Sequence, residues 1–212
     1  MSFKYLILTI SFFFSCSTDP ISIKSPFFDD FNRDEIGSTW LDTIGRYIII
    51  KNRLNIMGGY NHPLWLKRSL PVNVDIEFDA MSNSPDGDLK IELFGDGRSF
   101  AFNKGSYIAT GYVFCLGGWK NTKSFIAKRN EHAKNLLNTR KQVATIGKFQ
   151  HWKISSRYAG GILKLIWTID GKHVLTLKDS RPLYSRSNSF FGFSNWASDS
   201  WFDNLKITPA EN

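Results

Sequence analysis

Hydrophobic and polar residues alternate along much of the chain in short runs. No long stretch carries the spacing of an amphipathic helix. The clearest case is Asn73-Val74-Asp75-Ile76-Glu77-Phe78-Asp79-Ala80, where Val74, Ile76, Phe78 and Ala80 fall on one face and Asp75, Glu77 and Asp79 on the other. In Asp88-Leu89-Lys90-Ile91-Glu92-Leu93, the same logic sends Leu89, Ile91 and Leu93 inward and Asp88, Lys90 and Glu92 outward. Runs of this kind predict strands at Tyr47–Ile50, Arg53–Met57, Leu64–Leu70, Val74–Met81, Leu89–Phe94, Tyr107–Leu116 and Ser124–Arg129. Further strands are predicted at His151–Arg157, Leu163–Ile169, His173–Leu177, Ser189–Ser194 and Trp201–Ile207.

Turn chemistry separates them: Asp86-Gly87, Asp96-Gly97, Gly117-Gly118, Gly160-Gly161 and Asp170-Gly171. Residues 163–177 read as a hairpin with Ile169-Asp170-Gly171-Lys172 at its tip. The stretch Glu131–Gln142 is too polar for a core helix and reads as a long loop. Many strands without helical crossovers predict an all-β fold, a two-sheet antiparallel sandwich. Two neighbouring strands with charged outer faces predict a concave, charge-rich binding sheet.

The N-terminus breaks the pattern. Lys4 precedes an apolar run, Tyr5–Phe14, too short to span a bilayer, and Ser15-Cys16 and the polar Ser17-Thr18-Asp19-Pro20 follow. A small residue before a cysteine at the end of an apolar run resembles the lipobox of bacterial lipoproteins. That resemblance implies lipidation at Cys16 and a protein exported and anchored in the bacterial cell envelope, at the outer membrane. The alternative is a plain secretory signal. The chain then divides into a signal at 1–15, a tether at 16–25 and one sandwich domain at 26–209. Cys115, in the apolar Tyr112–Leu116 run, reads as a buried inert thiol.

Both ends of the domain carry a further resemblance. Phe28-Asp29-Asp30-Phe31-Asn32-Arg33 with Ile36-Gly37 and Trp40 resembles the opening of concanavalin A-like (laminin-G-like) jelly rolls of bacterial exported proteins. Phe191-Gly192-Phe193-Ser194-Asn195-Trp196 and Trp201-Phe202-Asp203-Asn204-Leu205-Lys206-Ile207 are similar to their last two strands. The superfamily includes lectin modules, laminarinase-type glucanases, polysaccharide lyases and 3-keto-disaccharide hydrolases, so the resemblance speaks to fold more than to function. It also implies a structural calcium, held by Asp203 with Asp30 or Asp29.

Three groups have the composition of sugar-contacting loops: Asn61, His62 and Trp65; Trp119 and Asn121; and Asn130-Glu131-His132, with Lys90 as a strand-borne partner. Amides and cations reach hydroxyls, and indoles stack on pyranose faces. The ordinary alternative for each is core packing or a solvated surface. If the protein is an enzyme, Glu77, Asp79 and Glu92, with His132, are its candidate acids and bases. The order Asp-x-Glu-x-Asp departs from the laminarinase motif Glu-x-Asp-x-x-Glu, and i, i+2 carboxylates lie about 6.5–7 Å apart where retaining hydrolysis wants about 5–5.5 Å. The competing reading is a charged face with cross-strand pairs, for instance to Lys90.

Composition then narrows the partners. With 212 residues, 42% hydrophobic and 15% aromatic, the chain is neither disordered nor, with 2 cysteines, a disulfide scaffold. Its net charge of +8 is concentrated between Trp119 and Arg157, where ten Lys and Arg residues face only Glu131. No nucleic-acid motif is visible, so acidic polysaccharide or phospholipid headgroups are the expected counterparts. Three functional classes remain: a membrane-anchored module binding glycans, acidic ones in particular; a carbohydrate-active hydrolase or lyase; and an adhesion or structural protein.

Overall fold

A computed structural model describes residues 20–43, 45–101 and 107–211. The expected export signal and Cys16 lie outside the described residues. Seventeen strands are present among them: β1 (Ile21–Ser22), β2 (Phe27–Asp29), β3 (Trp40–Leu41), β4 (Tyr47–Ile50), β5 (Arg53–Met57), β6 (Leu64–Leu66), β7 (Arg68–Ser69), β8 (Val74–Ser82), β9 (Leu89–Gly95), β10 (Tyr112–Gly117), β11 (Lys123–Lys128), β12 (Leu137–Thr139), β13 (Gln150–Ala159), β14 (Ile162–Ile169), β15 (Lys172–Asp179), β16 (Phe190–Ser194) and β17 (Asp199–Pro209).

All but β1 and β7, which pair in parallel as a separate two-stranded sheet, form the predicted antiparallel two-sheet sandwich. One sheet runs β12-β11-β10-β9-β16-β6-β3, and the other runs β15-β14-β13-β8-β17-β5-β4, with β2 also paired to β17. The unpredicted strands β1, β2, β3 and β12 are two or three residues long, too short to show alternation. β1 falls within the predicted tether: Ile21 pairs with Arg68, and the buried Ile23 donates its N–H to Ser69 O at 2.9 Å.

The core fills the space between the sheets. Phe78 of β8 stacks on Trp152 at 5.1 Å and meets Phe193 edge-on at 5.4 Å, and Trp152 abuts Trp167 at 4.8 Å. The terminal motifs have clear physical roles here. The buried Asp29 carboxylate accepts from both Arg33 terminal nitrogens at 2.6 and 2.9 Å, from Trp40 Nε1 at 2.8 Å and from Phe31 N at 3.0 Å. In Phe191-Gly192-Phe193 both rings enter the core, while Gly192 faces out beneath Trp65; a Cβ there would stand 2.9 Å from that indole. At the closing motif β17 bulges at Asp203–Asn204, Asn204 takes φ 53°, and Leu205 and Ile207 return to the core.

Two expectations fail. β8 and β9 belong to different sheets, so Asp75, Glu77 and Asp79 do not share a face with Asp88, Lys90 and Glu92. The β8 ladder is not paired to Lys90 either: Asp75 meets Arg157 at 2.9 Å, Glu77 meets Lys153 at 3.8 Å, and Asp79 meets His151 Nδ1 at 2.9 Å. Lys90 and Glu92 do point away from the core, yet they are only 4% and 2% exposed. The outer face of their sheet is roofed by loops.

Candidate functional site

The roof is built around Glu92. Its carboxylate accepts from Tyr107 Oη at 2.7 Å, Gly111 N at 2.7 Å, Thr110 N at 2.8 Å and Thr110 Oγ1 at 3.0 Å. These bonds pin residues 107–111 as a strap across the sheet, and Ala109 packs with Val113, Cys115, Phe125 and Ala127 beneath it. Burial pushes the Glu92 carboxyl above the usual range against the pull of those donors, and burial beside Glu92 pushes the Tyr107 hydroxyl up as well. The strap replaces the strand predicted to start at Tyr107.

Beside the strap the face opens into a cleft of about 390 Å³, within the usual size for small-ligand sites. Its floor is a buried charge cluster. Lys90 Nζ donates to Asn61 Oδ1 at 3.0 Å and to Glu131 Oε2 at 3.1 Å, and lies 3.6 Å from Asp88 Oδ1. Burial alone would lower the Lys90 ammonium, but Asp88 and Glu131 outweigh it and hold the pKa above that of a free lysine. Burial likewise pushes Asp88 up, opposed by Lys90 and by the N–H of Trp196. The Cys115 thiol, 3.5 Å from Asp88 Oδ1, is driven well up by burial. Asp88 itself sits at φ 59° just after Gly87, in a turn that aims its side chain back over β9.

The wall opposite the strap is Trp119, 40% exposed. Its backbone is unusual: after Gly117 at φ 74°, Trp119, Lys120 and Asn121 take φ 50°, 59° and 55° in succession. Left-handed conformation costs about 1–2 kcal/mol per non-glycine residue. Asn121 secures the turn by accepting from Ala144 N at 3.0 Å and donating to Ala144 O at 2.9 Å. Lys123 Nζ lies 4.1 Å from the Trp119 ring, and His132 meets that ring edge-on at 6.0 Å. Tyr107, Trp196 and Ser198 complete the walls.

The residues singled out in the sequence divide accordingly. Asn61, Lys90, Trp119 and His132 come together at the cleft. His62 does not line it: its Nδ1 lies 2.9 Å from Gly59 O and its ring stacks on Phe100. Trp65 is fully buried with Nε1 donating to Ser99 O at 3.0 Å, and the Asn121 amide is spent on Ala144. Glu77 and Asp79 lie on the other sheet, and the four donors of the strap occupy Glu92. Asp86, Asp88, Tyr107 and Trp196 were not singled out. A left-handed turn at Gly87-Asp88 and the tryptophan of the closing motif were the available signals.

The aspartates expected to hold calcium do not form a ligand set. Asp203 is paired to Arg53 at 3.0 Å, and Asp30 accepts from both nitrogens of Asn32. Among the described residues no three His, Cys, Asp or Glu side chains gather around a common point for a metal.

No family model and no curated protein sequence matches the chain. Its fold does match solved structures. The carbohydrate-binding module CBM66 from Bacillus subtilis aligns at 16% identity and TM-score 0.56, over 82% of this chain and 98% of that one. Crh5 transglycosylase in complex with NAG aligns at 15% identity and TM-score 0.64, over 92% and 88%. Basic winged bean lectin with Tn-antigen aligns at 11% identity and TM-score 0.60, over 86% and 97%. The chain has a concanavalin A-like β-sandwich fold, the fold its terminal motifs implied.

Proposed function

We propose that this domain is a carbohydrate-binding module whose site is the cleft beside Trp119. The observation that carries the reading is the strained Gly117–Asn121 turn, which holds an indole at the mouth of a cleft floored by paired charges. The indole offers a platform for the apolar face of a pyranose. Asn61, Asp88, Lys90 and Glu131 offer donors and acceptors for its hydroxyls. The sandwich shared with a carbohydrate-binding module and a lectin supports the same reading. Lys120 lines the cleft and Lys123 lies over one face of the Trp119 ring, and they support a preference for acidic glycans, whose anionic substituents would meet these ammonium groups. The Ser15-Cys16 pair after the apolar run supports export and lipid anchoring through Cys16 to the bacterial envelope, at the outer membrane.

Titration calorimetry of neutral and acidic oligosaccharides against the parent and Trp119→Ala tests this. A ligand whose affinity falls about ten-fold or more in the variant is expected, as for a stacked aromatic anchor. No binder in either class, or a binder indifferent to Trp119, would sink the proposal. A second reading, a hydrolase or lyase, draws on Asp88 and Glu131, which share Lys90 at 3.6 and 3.1 Å and face the same space. Product release from an oligosaccharide that Glu131→Gln abolishes and Glu77→Gln leaves intact would favour it; binding without product favours the module.

A further inference from the structure

The end of the sandwich away from the cleft carries a second feature. The β13–β14 hairpin closes there on Gly160-Gly161, both at positive φ, and Tyr158 and Ile162 beside the tip stand 44% and 45% exposed. Behind the tip, three cations lie in one cross-strand row: Arg157 is directly opposite Lys164, and Lys164 directly opposite Lys178. Like charges facing each other destabilise a sheet. Within the row Arg157 is paired with Asp75 at 2.9 Å, and on the same sheet Arg53 pairs with Asp203 and Lys153 with Glu77. Among the described residues, no carboxylate pairs with Lys164 or Lys178, and the neighbouring Asp179 is taken by Lys128 at 2.6 Å and by the Tyr112 hydroxyl. This corner is cationic and tipped with exposed apolar groups.

The chain enters the sandwich at the same end. β1, with Ile21 65% exposed, pairs with β7, which leads within a few residues to Asn73; the Asn73 side chain accepts from Tyr158 N at 2.7 Å. β8 runs from Val74 at this end to Ser82, whose Oγ bonds Gly87 O at 2.7 Å beside the cleft. At about 3.3 Å per residue the two ends stand roughly 25 Å apart.

We propose that this pole docks on an anionic lipid surface, with Lys164 and Lys178 among the headgroups and Tyr158 and Ile162 inserted at the boundary, so that the cleft faces away from the membrane. A row of cations behind a tip that exposes an aromatic and an aliphatic side chain is the chemistry of interfacial binding, and each lysine near such a surface strengthens partition about five-fold. The proposal stands on the hairpin and not on Cys16, so the test uses the full chain carrying Cys16→Ser. The apolar run 5–14 is common to every variant and cancels in the ratios.

Co-sedimentation is measured with phosphatidylcholine vesicles and with mixed phosphatidylglycerol–phosphatidylcholine vesicles. Lys164→Gln/Lys178→Gln is expected to lose roughly 25-fold in partition to the anionic vesicles alone. Tyr158→Ser/Ile162→Ser should lose vesicle partition as well, whereas Trp119→Ala, which weakens the glycan site, should leave vesicle partition as in the parent. Anionic partition unaltered in the lysine variant overturns the proposal. So does loss of binding to a sulfated polysaccharide while vesicle binding stays intact, which would make the corner a glycan patch. Glycan affinity at the cleft is read separately, so either proposal can fail alone.

Discussion

Replacing Lys90 with methionine tests the electrostatic account of the cleft floor. Methionine keeps most of the buried volume, so the change isolates charge from packing. The lysine side chain is 5% exposed, and its partners Asp88 and Glu131 are 15% and 16% exposed. Removing one member of a buried pair costs about 3–5 kcal/mol, because the remaining charge is left without a partner. Here two carboxylates are stranded, though each keeps some water, so a loss of about 3 kcal/mol near neutral pH is expected. That is a large share of a domain stability of about 5–15 kcal/mol.

The loss should depend on pH. Burial already raises Asp88, with Lys90 the first force opposing it, so removing Lys90 raises it further. A carboxyl raised in the folded state contributes stability that is present below its unfolded pKa and lost as pH rises through the folded one. The deficit should therefore shrink toward about pH 4.5 and grow toward neutrality. Urea unfolding followed by tryptophan fluorescence at both pH values, with the m-value checked for constancy, measures it. A deficit under about 1 kcal/mol, or one equal at both pH values, would refute the reasoning.

Three further outcomes follow from the same geometry. Trp119→Gly should weaken glycan binding while holding or raising stability by up to about 1 kcal/mol, since glycine adopts φ 50° without the left-handed penalty; calorimetry and thermal unfolding read the two effects separately. Glu92→Gln should keep the strap, because an amide oxygen can still accept from Thr110 and Gly111, and should flatten the fall in stability with rising pH that the raised Glu92 carboxyl produces. Glu92→Ala leaves those donors buried and unpaired and should cost about 2–4 kcal/mol, with proteolysis opening in the 107–111 strap.

The sequence by itself determined the sandwich. Alternation is a local property, and it placed Val74, Ile76 and Phe78 in the core and the Asp170-Gly171 turn at a hairpin tip without reference to any distant residue. The terminal motifs were legible through their resemblance to known jelly rolls, and their Asp29 and Gly192 act through a handful of fixed contacts. What alternation cannot tell is what covers the outward face. Asp75 and Lys90 carry the same pattern, yet Asp75 meets solvent and Arg157, while Lys90 is buried against Asn61 and Glu131 from distant loops. Pairing of β9 with β10 and β16 rather than β8 was a choice between sheets, made by non-local packing. So was the meeting of Asn61, Asp88, Trp119, Glu131 and Trp196. Burial, which sets the charge states in the cleft, depends on that assembly and has no signature in any single stretch of the chain.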